Sequence, residues 1–237
     1  MPLYTADALI LRTYKLGEAD RIVVFLTRDR GKKRGVAKGA RRARSRFLGA
    51  LEPLTEARVA YFEKERRELV GLNFAEAIRS PLAVVGGPTV AGGSSGSGGS
   101  NGPPLPDSNA LGYVGYFAEL LDEWAQEADA DERLYRLGVS MLGALAGGAP
   151  VEPLARYFEY WLLRLQGVYP EARGALSANA AAFLSASRTV APERIGEVPA
   201  GRATLRELEQ LHRGLIAMHL EKTLKSDRVL RELRRRG

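Results

Sequence analysis

Apolar residues, many of them β-branched or aromatic, occur in short runs along the first 80 residues, and the run at 32–39 alternates with a period of two; both patterns are typical of β-strands. Glycine, aspartate and charged clusters separate these runs and indicate the turns between them. The pattern predicts five strands, at residues 7–16, 21–27, 32–39, 55–62 and 68–74. Five short strands with regularly spaced turns indicate a small barrel.

From residue 110 onward, apolar residues recur every three or four positions, which predicts amphipathic helices. We expect helices to begin at Ser108 or Asn109, after Asp131, at Glu152 and at Thr204, with a last segment at 226–236. Residues 168–199 are poorly patterned, and only one helical turn is expected there, near 178–184.

These patterns together predict an α+β protein with three parts. Residues 1–80 form a five-stranded barrel, and residues 110–237 form an α-helical domain in which 168–199 is an irregular insert. Residues 81–109 are rich in glycine, serine and proline, so they are expected to be a linker or a disordered loop.

The composition allows a folded protein and argues against several functional classes. Hydrophobic residues make up 45% of the 237 residues, which is enough to bury a core. No apolar run approaches the roughly 20 residues needed to span a bilayer, and the N-terminus lacks the charged region of a signal peptide. The chain has no cysteine, which excludes thiolate metal sites and a cysteine nucleophile. We therefore expect no membrane association and a cytoplasmic location.

The net charge of +7 is concentrated near the start of the chain. Positions 1–79 hold 18 basic and 10 acidic residues (+8), whereas positions 80–237 hold 17 and 18 (−1). Residues 30–46 contain nine Lys or Arg in seventeen positions and no acidic residue. A bound polyanion that releases its counterions stabilises such a cluster. The third strand and the following loop are therefore predicted to bind nucleic acid. This favours an oligonucleotide-binding (OB) barrel over the SH3-like barrel that the strand pattern also allows.

Eight basic residues of this cluster are the candidate phosphate ligands: Lys32, Lys33, Arg34, Lys38, Arg41, Arg42, Arg44 and Arg46. A localisation signal or heparin-like patch is the competing interpretation. Aromatic rings near a basic groove can stack on bases, and the candidates are Tyr14, Phe25, Phe47 and Tyr61. Each of these rings could instead fill the barrel core. A second basic segment lies at residues 228–236. It either extends the nucleic-acid-binding surface or forms a solvated, frayed C-terminal helix end, where positive charges interact favourably with the helix dipole.

Motifs for catalysis are absent from the sequence. The two histidines, His212 and His219, lie seven positions apart on one predicted helix, too far to share a metal ion, and are interpreted as surface residues. No nucleophile elbow, phosphate-binding loop or dinucleotide fingerprint is present. We therefore expect a protein that is not an enzyme and that holds neither a metal ion nor a cofactor.

Four short motifs follow one another in the first 80 residues. They are ALILRTYKLGEAD at 8–20, TRDRGK at 27–32, VAKGARR at 36–42 and LEPL at 51–54. In this order they resemble the N-terminal domain of the bacterial RecO recombination mediator family. The resemblance covers about a third of the chain, and the helical remainder is similar in layout only.

The resemblance implies an OB domain, a helical domain and a role in recombinational DNA repair. Family members bind single- and double-stranded DNA, anneal complementary strands and help to load recombinase. The implied partners are RecR and single-strand-binding protein, and the implied location is the nucleoid. Many members carry a four-cysteine zinc module between late helices. Because this chain has no cysteine, we expect no zinc and a lost or replaced module across 168–199.

Two other functions stay open on the sequence alone. The barrel could bind RNA in translation or decay, in which case annealing of protein-coated DNA would not occur. The chain could also be an adaptor whose basic run docks an acidic peptide, in which case nucleic-acid affinity would change little with salt.

Overall fold

The computed structural model describes residues 2–63, 68–82, 108–170, 176–221 and 224–236. Nearly all of the predicted linker at 81–109 lies outside these ranges. The described part consists of an N-terminal five-stranded barrel and a helical region that follows it. The predicted α+β class is therefore confirmed.

The barrel contains all five predicted strands. They are β1 (Leu3–Leu16), β2 (Asp20–Thr27), β3 (Gly31–Ala37), β4 (Glu56–Phe62) and β5 (Val70–Arg79). The strands close in the order β1-β2-β3-β5-β4, and β4 pairs back to β1. The β3–β5 pair is parallel and the other pairs are antiparallel. This five-stranded barrel agrees with the predicted OB fold.

Strands β1 and β5 are longer than the sequence pattern indicates. β1 begins at Leu3 rather than at residue 7, because its first residues pair with β4. β5 continues past Phe74 to Arg79, again because its residues pair with β4. Alanine and glutamate in this extension have low strand propensity, so the neighbouring strand determines their conformation.

The described helical region contains six α-helices. They are α1 (Ser108–Trp124), α2 (Glu132–Ala146), α3 (Val151–Leu165), α4 (Ala178–Ala186), α5 (Arg202–Leu220) and α6 (Lys225–Arg236), with a 3₁₀ helix at Pro192–Glu197. The predicted cap at Asp131 is confirmed, since its carboxylate accepts a hydrogen bond from the Leu134 N–H at 3.0 Å. The segment 168–199 is more helical than expected, because Ser177 caps α4 in the same way.

Two hydrophobic cores organise the structure. One fills the barrel interior and includes Phe25, Phe47 and Tyr61. The other joins the barrel to helices α1–α6, and β1 and β2 contribute Leu9, Leu11, Val24 and Leu26 to it. The helical region therefore covers the outer face of β1 and β2, so a ligand of the barrel has to use the surface that remains.

Backbone contacts fix the start of β3 to the loop between α1 and α2. The Lys32 N–H donates to the Gln126 carbonyl at 3.1 Å, and the Ala128 N–H donates to the Lys32 carbonyl at 3.2 Å. Gly31 has a φ of +67°, and a Cβ at this position would overlap the backbone of Asp129. Glycine is therefore required both for its positive φ and for this close approach.

Replacing Gly31 should loosen the contact between β3 and the α1–α2 loop. We expect Gly31→Ala to lower the free energy of unfolding by about 3 kcal/mol, because the methyl group must displace backbone as well as adopt a strained φ. Gly17→Ala is the matched control, since Gly17 also has a positive φ (+58°) but has no heavy atom within 4 Å of the added Cβ. Its expected cost is about 1 kcal/mol. Urea denaturation measures both costs, and equal values would contradict the required close approach.

Candidate nucleic-acid interface

Six residues of the predicted cluster have exposed side chains at the end of β3 and in the following loop. They are Arg34, Lys38, Arg41, Arg42, Arg44 and Arg46, called the basic surface below. Arg34 points outward because the alternate residues Gly35 and Ala37 face the barrel interior. None of the six forms an ion pair with another residue that the structure describes. Within the described ranges, no carboxylate therefore competes with a ligand for these charges.

Hydrogen bonds hold the loop after β3 against the turn between β1 and β2. The Arg41 N–H donates to the Ala19 carbonyl at 2.9 Å, and the Arg41 guanidinium donates to the Gly17 carbonyl at 3.0 Å. The Gly39 N–H donates to the Asp20 carboxylate at 2.8 Å. The loop backbone is therefore positioned before a ligand binds, which reduces the entropy lost on binding.

Two of the eight predicted phosphate ligands contact carboxylates of the same chain. The Lys32 ammonium lies 2.6 Å from the Asp122 carbonyl oxygen and 3.4 Å from its carboxylate. The Lys33 ammonium lies 2.8 Å from the Glu63 carboxylate. Only 15% and 17% of the two lysine side chains is exposed. Lys32 and Lys33 are therefore not part of the basic surface, and their contact with phosphate stays a prediction.

A carboxylate cluster on α1 pairs with a cation of the barrel. The Arg12 guanidinium lies 3.1 Å from Asp122, 3.6 Å from Glu119 and 3.7 Å from Glu123. In the sequence these carboxylates resemble an ordinary solvated helix face, and only the packing of α1 on β1 places them beside Arg12. The acidic edge of α1 thus faces Arg12 and Lys32 of the barrel.

The four aromatic candidates for base stacking lie in two environments. Phe25, Phe47 and Tyr61 fill the barrel interior, with at most 2% of their surface exposed. Burial raises the pKa of Tyr61 to about 12. Tyr14 on β1 is 41% exposed, and its hydroxyl accepts a hydrogen bond from Arg12 at 3.3 Å. Of the four rings, Tyr14 is the one that a base can reach in this structure.

The second basic segment is part of α6, whose N-terminus is held by α1. The Glu119 carboxylate accepts hydrogen bonds from the backbone N–H groups of Lys225 at 3.0 Å and Ser226 at 2.7 Å. Burial acts to raise the pKa of Glu119, but the hydrogen bonds from Ser226 and Lys225 and a neighbouring arginine lower it overall. Arg228 is exposed, and the side chains of the later arginines lie outside the described part.

The interpretation of His212 as a surface residue is wrong, because its side chain is fully buried. Its Nδ1 lies 3.0 Å from Glu159, which also accepts hydrogen bonds from Tyr116 at 2.7 Å and from Arg156 at 2.8 Å. Burial acts to raise the pKa of Glu159, but Arg156 and the hydrogen-bond donors lower it overall. These four residues, called the Glu159 network below, come from α1, α3 and α5, so only tertiary packing brings them together.

His219 is exposed, as predicted, and its ring stacks on Trp124 with 5.4 Å between the ring centroids. Within the described ranges, no group of three or more His, Cys, Asp or Glu residues is placed to hold a metal ion. The helices described for this chain include none that is long and apolar enough to cross a membrane.

Two family models match the chain on either side of the predicted linker. The model for the N-terminal part of recombination protein O matches residues 1–81, which include the barrel. The model for the C-terminal part of the same protein matches residues 105–174, which include α1 to α3. The chain belongs to the RecO family. The predicted family is therefore confirmed, and both matches fall on the barrel and helices that carry the surfaces described above.

Curated relatives of the RecO family agree with this assignment. The DNA repair protein RecO of Koribacter versatilis (strain Ellin345) is 37% identical over 169 residues, which is 71% of this chain and 61% of the relative. The protein of the same name from Anaeromyxobacter sp. (strain K) is 34% identical over 68% of this chain and 56% of its own length. That from Bifidobacterium adolescentis is 42% identical over 62% of this chain and 51% of its own length. The matched part of the chain thus spans between 51% and 61% of the length of these relatives.

Proposed function

We propose that this chain is a DNA-binding recombination mediator. It binds single- and double-stranded DNA, anneals complementary strands and helps to load recombinase during recombinational repair. One observation carries the proposal: six exposed cations without ion pairs, among the residues described, on one edge of an OB barrel. The relatives named DNA repair protein RecO support DNA as the polyanion.

The basic surface binds the phosphate backbone of each strand. Five of its six residues are arginines, whose planar guanidinium groups can grip phosphate oxygens with two hydrogen bonds. Neutralised phosphates no longer repel a second strand, and the bound protein raises the local strand concentration. Annealing by this route makes and breaks no covalent bond, so the proposal does not require an enzyme.

Tyr14 and the two paired lysines extend this surface. The exposed ring of Tyr14 stacks on a base, and the hydrogen bond from Arg12 holds the ring in place. Lys32 and Lys33 contact phosphate only after they exchange their carboxylate partners for the strand. In this proposal residues 1–80 are the nucleic-acid-binding domain.

The helical part, residues 110–237, docks protein partners. By analogy with the RecO family, these partners are RecR and single-strand-binding protein, and the protein acts on DNA in the nucleoid. We propose no zinc and no other cofactor, because the cysteine ligands of the family's zinc module do not occur in this chain.

Annealing of complementary DNA strands coated with single-strand-binding protein tests the proposed function. We expect the full chain to accelerate duplex formation at least about tenfold over the coated strands alone, because it neutralises phosphate repulsion. Fluorescence energy transfer between end-labelled strands follows the reaction. Preference for RNA without annealing of coated DNA would instead support an RNA-binding module. Binding that is insensitive to salt would support the adaptor.

A further inference from the structure

Two arginines of the helical region converge on one tyrosine hydroxyl. Arg164 Nη1 donates to the Tyr160 hydroxyl oxygen at 2.9 Å, and Arg188 Nε donates to the same oxygen at 2.8 Å. Arg164 lies in the last turn of α3, and Arg188 follows the C-terminal end of α4. The fold therefore brings two cations from separate segments to a single point.

This arginine pair has no counter-ion among the residues that the structure describes. Both residues are exposed, and the two donor nitrogens lie within about 6 Å of each other because they contact one oxygen. Like charges at this separation repel. The helix C-termini near them offset only part of the repulsion, since each carries about half a negative charge. An anion bound between the guanidinium groups would remove the remainder.

Tyr160 supplies a third donor to this point. Only 1% of the whole residue, hydroxyl included, is exposed, and its ring packs against the rings of Trp161 and Tyr169. The hydroxyl oxygen accepts two hydrogen bonds, which occupy both lone pairs and leave its own proton to be donated. No described residue accepts that proton. Two guanidinium groups with unused N–H donors and one phenol O–H suit a tetrahedral oxyanion such as phosphate.

We propose that Arg164, Arg188 and Tyr160 form a phosphate-binding site for a nucleic-acid strand, separate from the basic surface. The proposal deepens the proposed function and rests on it for the nature of the ligand. Trp161 provides a partly exposed ring 5.8 Å from the Arg164 guanidinium, and its N–H donates to the Ser187 carbonyl at 2.9 Å. A base next to the bound phosphate can stack on this fixed ring. The protein can then hold one strand at two points or two strands at once.

Removal of both charges tests the site. In Arg164→Gln/Arg188→Gln, we expect the slope of log affinity for single-stranded DNA against log salt to flatten by about 0.7, because the site neutralises one phosphate. Calorimetric titration of the full chain with inorganic pyrophosphate should show one binding site fewer in this variant than in the parent chain. Tyr160→Phe keeps both charges and should weaken pyrophosphate binding several-fold. Arg133→Gln/Arg136→Gln is the matched control, because it removes two exposed charges from α2. Circular dichroism should show that all variants are folded.

The possible outcomes distinguish a failure of this site from a failure of the proposed function. An unchanged slope in the Arg164/Arg188 variant, or the same change in the α2 control, would overturn the site. Pyrophosphate binding that needs the two arginines, with oligonucleotide binding unaffected, would overturn the strand as its ligand. Charge reversal in the basic surface tests DNA binding by the barrel in a separate experiment. Either binding site can therefore be refuted without affecting the evidence for the other.

Discussion

Reversing three charges of the basic surface should remove most of the affinity for DNA. We expect Arg41→Glu/Arg42→Glu/Arg44→Glu to bind single-stranded DNA about 1,000-fold more weakly at roughly 50 mM salt, because three phosphate contacts become repulsive. The fold should persist, since all three side chains are exposed. Fluorescence anisotropy with a labelled oligonucleotide measures the affinity, and circular dichroism checks the fold.

The control for this variant reverses three exposed cations of the helical region. Arg133→Glu/Arg136→Glu/Arg206→Glu changes the net charge by the same amount, and these residues form no ion pair within the described ranges. We expect an affinity loss of only about tenfold from the general change in charge. Equal losses in the two variants would mean that net charge, and not the basic surface, determines binding.

Removing Glu159 should destabilise the helical region strongly. We expect Glu159→Ala to lower the free energy of unfolding by about 3–5 kcal/mol, because Arg156 would stay buried without its partner. Arg156 also lies 3.5 Å from Glu209, and this longer contact cannot replace the lost carboxylate. Urea denaturation followed by circular dichroism measures the loss.

A double variant shows whether the loss comes from the unpaired charge. Arg156→Met/Glu159→Leu replaces both ions with apolar side chains of similar size, and we expect it to be more stable than Glu159→Ala by at least about 1 kcal/mol. If the double variant is the less stable of the two, the cost reflects packing and not an unpaired cation.

The Glu159 network also gives stability a defined pH dependence. The pKa of Glu159 is lower in the folded chain than its ordinary value of 4.5. The carboxylate therefore contributes its full stabilisation above that value, and the contribution is lost as the pH falls through the folded pKa. We expect the unfolding free energy of Glu159→Gln to fall less steeply below about pH 4.5 than that of the parent chain.

Local periodicity was sufficient to predict much of this fold. The five strands follow from local composition and turn residues, and the cap at Asp131 depends on a backbone N–H three positions away; both are confirmed. The N-terminal extension of β1 and the C-terminal extension of β5 depend on pairing with β4, which local propensity does not reveal. The burial of His212 likewise depends on α3 and α5 packing together, since its partner Glu159 lies far away in sequence.

For the candidate site too, the sequence predicts some features, whereas others depend on tertiary packing. The density of Lys and Arg in residues 30–46 located the basic surface, because charge density is a property of the sequence. The sequence could not indicate that Lys32 contacts Asp122 on α1, or that Phe25 and Tyr61 face the barrel interior. Which residues of a cationic strand face a partner helix depends on how the two regions pack.

The salt dependence of DNA binding is the most direct test of phosphate binding by the basic surface. The equilibrium affinity of the unmodified chain for a single-stranded oligonucleotide would be measured between roughly 50 and 300 mM salt. Six phosphate contacts from the basic surface alone predict a slope of about −4 for log affinity against log salt, and one more at the arginine pair steepens it to about −5. A slope near zero would contradict phosphate binding by the basic surface, because the affinity would then not depend on phosphate neutralisation.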